Sequence, residues 1–107
     1  MSSVTSLMLS FSSTEKEQDI VTALNQYPNK NKGFSLVSIN DEKLPRGWYG
    51  GTKMMETCLY LGAYNHFDVD DFINYLSEIE WAAPEEVQLF TKGQWADKFT
   101  VYNLLSN

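Results

Sequence analysis

The sequence predicts an α+β fold with two helices on one face of an antiparallel or mixed sheet. Three observations carry that reading. Apolar residues alternate with period two at 4–12, recur at helical spacing near 20–27 and 72–79, and return to β-branched and aromatic composition at 99–104. The resulting order is β-α-β-β-α-β with a fifth strand appended. Helices and strands do not alternate strictly, which argues against an all-parallel sheet. Right-handed crossovers then place both helices on the same side, a ferredoxin-like (split βαβ) order with an added C-terminal strand. Residues 1–107 form one domain, near the commonest domain size, and a chain this long buries a core without disulfides or metal.

Each element has a local cause. In 4–12, Leu7, Leu9 and Phe11 point one way and Ser6, Met8 and Ser10 the other, as in a strand with one buried face. Thr14 and Glu17 then have the spacing of a capping box, and Ile20, Val21, Leu24 and Tyr27 follow as an amphipathic stripe. Glu15, Glu17 and Asp19 complement the helix dipole at its start, and Pro28 stops the helix. Residues 34–39 read as a second strand, buried on both faces at its centre. The segment 40–53, with Pro45, Gly47, Gly50 and Gly51, exceeds the usual connection length. Residues 55–64 read as a third, central strand.

Asp68 has the position of an N-cap, Asp71 completes an acidic variant of the box, and Phe67 and Phe72 have staple spacing. Phe72, Ile73, Leu76 and Ile79 form the second stripe, with the helix ending near Trp81 and Pro84. Residues 87–91 and 99–104 read as strands joined by a hairpin through Gly93. Pro84-Glu85-Glu86 is also a good helix start, so helix remains an alternative for 87–91.

Composition narrows the function. Eight basic residues against 14 acidic give a net charge of −6, which repels phosphate backbones at long range and argues against nucleic acid as a partner. The single cysteine, Cys58, excludes an intrachain disulfide, and a lone His66 excludes Cys/His zinc patterns. No secretory signal and no membrane-spanning run is read, which makes the cytoplasm the expected location. No cofactor or metal is expected. Asp68, Asp70 and Asp71 lack the calcium-loop pattern and read as a helix cap and dipole partners. Cys58 and His66 are the one nucleophile–base pair on offer. Eight extended residues would separate them by about 26 Å, so the dyad fails on reach.

What remains points to recognition. Gly47-Trp48-Tyr49-Gly50-Gly51 lacks a phosphate-loop Lys-Ser or Lys-Thr, but Trp and Tyr are preferred interface anchors. Asp41, Glu42, Glu85, Glu86 and Asp97 sit in or beside connections, where rigid elements present binding groups. Trp81, Trp95, Phe99, Val101 and Tyr102 read as core or edge packing. An open sheet also leaves an edge strand able to pair with another chain.

Several phrases carry a family resemblance. Tyr49-Gly50-Gly51-Thr52-Lys53 leads into Met55-Glu56-Thr57-Cys58. Gly62-Ala63-Tyr64-Asn65-His66-Phe67-Asp68 follows, and later Val87-Gln88-Leu89-Phe90 and Phe99-Thr100-Val101. Over about the C-terminal two-thirds, this organisation resembles small bacterial immunity proteins encoded beside polymorphic toxins, including those of contact-dependent growth inhibition systems. The resemblance implies a non-enzymatic protein that binds and neutralises a cognate toxin domain, often a basic nuclease, by occlusion. It brings no catalytic residue with it. The residues expected to bind are Asp41, Glu42, Trp48 and Tyr49, with Glu85 and Glu86 as accessory charges. The chain would act as a monomer or homodimer. Two alternatives stay open. One is a small dimeric α+β domain that binds a small molecule or catalyses a modest reaction in a pocket lined by Trp48, Tyr60, Tyr64 and His66. The other is a nucleic-acid mimic whose carboxylates imitate phosphates.

Overall fold

A computed structural model describes residues 3–39 and 57–105. Five strands and two helices follow in the order β1 (Val4–Ser12), α1 (Glu17–Asn25), β2 (Val37–Ser38), β3 (Thr57–Asn65), α2 (Val69–Glu78), β4 (Gln88–Gly93) and β5 (Thr100–Asn103). They form one sheet in the order β2-β3-β1-β4-β5, with every pairing antiparallel. The mixed-sheet option is thereby removed. The middle strand is β1, and β3, expected to be central, is an interior strand paired on both sides, by β1 and β2.

Period-two alternation sorts the sheet into two faces. Leu7, Leu9 and Phe11 are completely buried, and Tyr60 and Leu89 flank Leu9 in register. The apolar stripes of both helices, Ile20 and Leu24 from α1 and Phe72 and Leu76 from α2, join these residues in one core. Both helices therefore cover the same face. Tyr27, just past α1, ties the layers together. Its ring lies 4.9 Å from Phe72, 5.0 Å from Tyr75 and 5.2 Å from Phe34.

The second helix begins as its sequence requires. Asp68 Oδ1 accepts the backbone N–H of Asp71 at 3.1 Å, and the Phe67 and Phe72 rings meet at 5.4 Å. The helix ends at Glu78, three residues before Trp81, whose indole N–H donates back to the Leu76 carbonyl at 2.8 Å.

The first helix departs from expectation. Its N-cap is Lys16, with no side-chain cap bond, so the Thr14–Glu17 box does not form. Both members have partners elsewhere. Thr14 Oγ1 bonds Ser12 Oγ at 2.8 Å, and Glu17 Oε2 accepts the Tyr60 hydroxyl at 2.5 Å.

The second strand is shorter than the alternation implies. Only Val37 and Ser38 pair with β3, opposite Leu61 and Tyr60. At Ser35, the Tyr64 hydroxyl bonds both the backbone N–H and the carbonyl, taking the place of a strand partner. Nor is this strand buried on both faces: Leu36 is buried but Val37 is half-exposed, because neither helix covers that side.

At the C-terminal end, both readings of the 84–91 stretch hold in part. Pro84–Glu86 is a single 3₁₀ turn with proline at its start, and β4 follows it as a strand. The β4–β5 hairpin forms, so the added strand is a true sheet member. Trp81 and Tyr102 pack against the core as expected. Trp95, Phe99 and Val101 do not; they are 78%, 44% and 49% exposed. No helix among the described residues is long and apolar enough to cross a membrane.

Candidate functional site: an acidic groove between the helices

Charge is distributed unevenly over the two layers. No residue of the five strands is Asp or Glu, and Lys92 is the single charged residue among them. The described carboxylates all lie on the helices, their flanks and the connections. Four of them line a groove of about 660 Å³ that runs between α1 and the C-terminal end of α2.

Among the described residues, Glu15, Asp19, Glu78 and Glu80 line this groove with Lys16 as the single cation, for a local balance of −3. Asp19, Glu78 and Glu80 are exposed, and Ile20 and Ile79 supply apolar floor between them. The Tyr75 hydroxyl donates to the Ala23 carbonyl at 2.5 Å and pins the two helices together. Glu15 is different in kind. Its carboxylate is buried and accepts the backbone N–H groups of Ala82 and Ala83 at 2.9 and 2.7 Å. It fixes the groove wall, while the three exposed carboxylates face solvent.

The position of Glu78 and Glu80 is informative. Glu78 occupies the last turn of α2 and Glu80 follows it, where the helix dipole disfavours anions, and no basic residue balances them there. Helix stability does not explain carboxylates at this end. That mismatch was readable from the sequence, which otherwise assigned Asp19 to dipole complementarity and gave Glu78 and Glu80 no role.

Asp41, Glu42, Trp48 and Tyr49 lie outside the described residues. Glu85 and Glu86 are exposed in the Pro84–Glu86 turn, which follows directly on the Ala82 wall of the groove. Asp68 and Asp71 have structural partners: Asp68 caps α2, and Asp71 Oδ2 accepts the Tyr27 hydroxyl at 2.7 Å.

The Cys58–His66 pair is separated as the spacing required. Cys58 faces Phe11 at one end of β3, and His66 follows Asn65 beyond the other end, in the left-handed region at φ 53°. Partial burial, then the nearby Glu17 and Glu15 carboxylates, push the Cys58 thiol above its ordinary pKa, against thiolate formation. Of the expected pocket residues, Trp48 lies outside the described residues, while Tyr60 and Tyr64 share one face of β3. Between them stands Gly62, where an added Cβ would fall 2.7 Å from Leu36 Cδ2, so Leu36 fills that space. Burial and the Glu17 carboxylate hold the Tyr60 phenol in its protonated form, and burial and Asp71 do the same for Tyr27.

The site is therefore an anionic, partly apolar surface on the helical layer, backed by strands that carry no carboxylate. No protein family, curated protein or solved structure matches the chain.

Proposed function

We propose that this protein is a non-enzymatic binding module of the immunity type, which neutralises a basic toxin domain by lodging its acidic helical layer in the toxin's active cleft. The observation that carries this reading is the one-sided charge: Asp19, Glu78 and Glu80 converge on one groove while the strands carry no carboxylate. Clefts that bind nucleic-acid phosphates are lined with cations. An anionic surface is steered into such a cleft, raising association rates by about 10- to 10³-fold. Ile20 and Ile79 between the carboxylates would add apolar contact once water is expelled. Glu85 and Glu86 extend the anionic surface past Ala82, and Asp41, Glu42, Trp48 and Tyr49 keep their proposed role as further contacts.

The fold reading belongs with this proposal. We take the arrangement as ferredoxin-like with one added strand. It is supported by β3 lying between β1 and β2, by β1 lying between β3 and β4, and by both helices sharing one core with the sheet. Such a scaffold holds two helices rigidly side by side and leaves their outer surface free.

The test is co-expression with the toxin domain encoded beside this chain, together with binding of the purified pair. Protection from growth arrest and a Kd of about nanomolar or tighter, roughly −12 kcal/mol, are expected. Lack of both protection and complex would overturn the proposal.

A further inference from the structure

We infer that the sheet face opposite the two helices joins two copies of this chain into a face-to-face dimer that leaves both acidic grooves pointing outward. The strand registers place Val37 opposite Leu61, Leu61 opposite Met8, Met8 opposite Phe90, and Phe90 opposite Val101. One apolar side chain from each of the five strands thus forms an unbroken row across the sheet. Directly opposed residues of an antiparallel pair point to the same face, and this is the face that neither helix covers. Val37, Leu61 and Val101 are 50%, 38% and 49% exposed.

The geometry suits a second copy. Met8 lies on the middle strand, so the row has two neighbours on each side of it. A two-fold axis running along β1 beneath Met8 sets Leu61 of one copy against Phe90 of the other, and Val37 against Val101. An isologous interface needs this kind of self-complementary patch. The same axis sets Lys92 against Ala63, since both lie opposite Ser6, so like charges do not meet.

Five strands at about 4.8 Å spacing give a width of about 24 Å. The strands hold 9, 2, 9, 6 and 4 residues, so at about 3.3 Å per residue each copy presents on the order of 475 Å². The total of about 950 Å² falls in the range of weak, concentration-dependent interfaces.

Charge selects this face for self-association. At −6, two copies meeting through their helical layers would bring carboxylates together. Meeting through the sheets, about 10 Å apart, leaves the helical layers about 30 Å from each other, several Debye lengths at physiological salt. The inference does not rest on the toxin reading.

Sedimentation equilibrium of the full chain at about 50 μM is expected to give twice the 12.3 kDa chain mass. A monomer at that concentration would overturn the inference. Leu61→Lys and, separately, Val101→Lys should each weaken the dimer at least tenfold with the circular dichroism unchanged. The second variant serves if the first fails to fold, and a folded variant that dimerises like the parent counts against this face. Met8→Cys in a Cys58→Ser background should cross-link between copies with a short bismaleimide, because residues near the axis meet themselves. An intact dimer that resists this reagent overturns the face-to-face arrangement. Pairing through the β5 edge would instead hold the two β1 strands about 24 Å apart.

Discussion

Glu15 Oε2 accepts the backbone N–H of Ala83 at 2.7 Å, joining positions 68 apart in sequence. With Ala82 bonded to the other oxygen, this carboxylate is a buried clamp between the start of α1 and the link from α2 to β4. Two donors facing one anion form a charge-assisted pair of bonds. Glu15→Gln turns one acceptor into a donor facing a donor and should cost about 1–3 kcal/mol. Urea unfolding of the variant measures it; a loss under about 0.5 kcal/mol would mean that the clamp is not holding the link.

The two helix starts give a contrast. Asp68 caps α2 through the Asp71 N–H, so Asp68→Ala should cost about 1 kcal/mol. Thr14 matches a capping pattern but caps nothing, and Thr14→Ala should cost less than half as much by the same chemical denaturation. Equal losses would contradict the assigned starts.

Alkaline pH should unfold the protein through two tyrosines. Tyr60 donates to Glu17 and Tyr27 to Asp71, and in both cases burial and the carboxylate raise the phenol pKa above its ordinary 10.0. The native state therefore holds these protons more tightly than the unfolded chain does. Their contribution to stability is fully present below pH 10 and is lost as pH rises toward the higher folded values. Stability should be flat in this respect up to about pH 9 and fall above 10. Tyr27→Phe and Tyr60→Phe should each flatten that fall. Phenolate absorbance at 295 nm of the parent, minus that of each Tyr→Phe variant, should show Tyr27 and Tyr60 titrating above pH 10.

How much of this was legible in the sequence depended on whether a residue's main partner was local. Clean alternation in β1 and the Asp68 cap with its Phe67–Phe72 staple are nearest-neighbour effects, and both were readable. The Thr14–Glu17 box failed because Tyr60, 43 positions from Glu17, captures the glutamate. Residues 34–39 alternate like a strand, yet the Tyr64 hydroxyl occupies the Ser35 backbone and shortens β2. The groove was least legible. Asp19, Glu78 and Glu80 meet only through packing of α1 on α2, and the one local signal was an uncompensated acidic helix C-terminus.

Charge reversal tests the groove itself. Asp19→Lys loses dipole complementarity in the first turn of α1 while Glu80→Lys gains it beyond the end of α2, so the pair should leave the unfolding free energy within about 1 kcal/mol of the parent. The same pair of changes should slow association with a basic partner by about tenfold or more. Glu85→Lys with Glu86→Lys should have a smaller effect, since that turn lies beyond the groove wall. Equal effects would move the contact toward the turn.

Stopped-flow association with the adjacent toxin domain, at 50 mM and 500 mM salt, bears most directly on electrostatic capture by the helical layer. The expected result is an association rate that falls at least tenfold at the higher salt in the parent, and much less when Asp19 and Glu80 are reversed. A rate indifferent to salt, or a salt response that survives both reversals unchanged, would contradict the account.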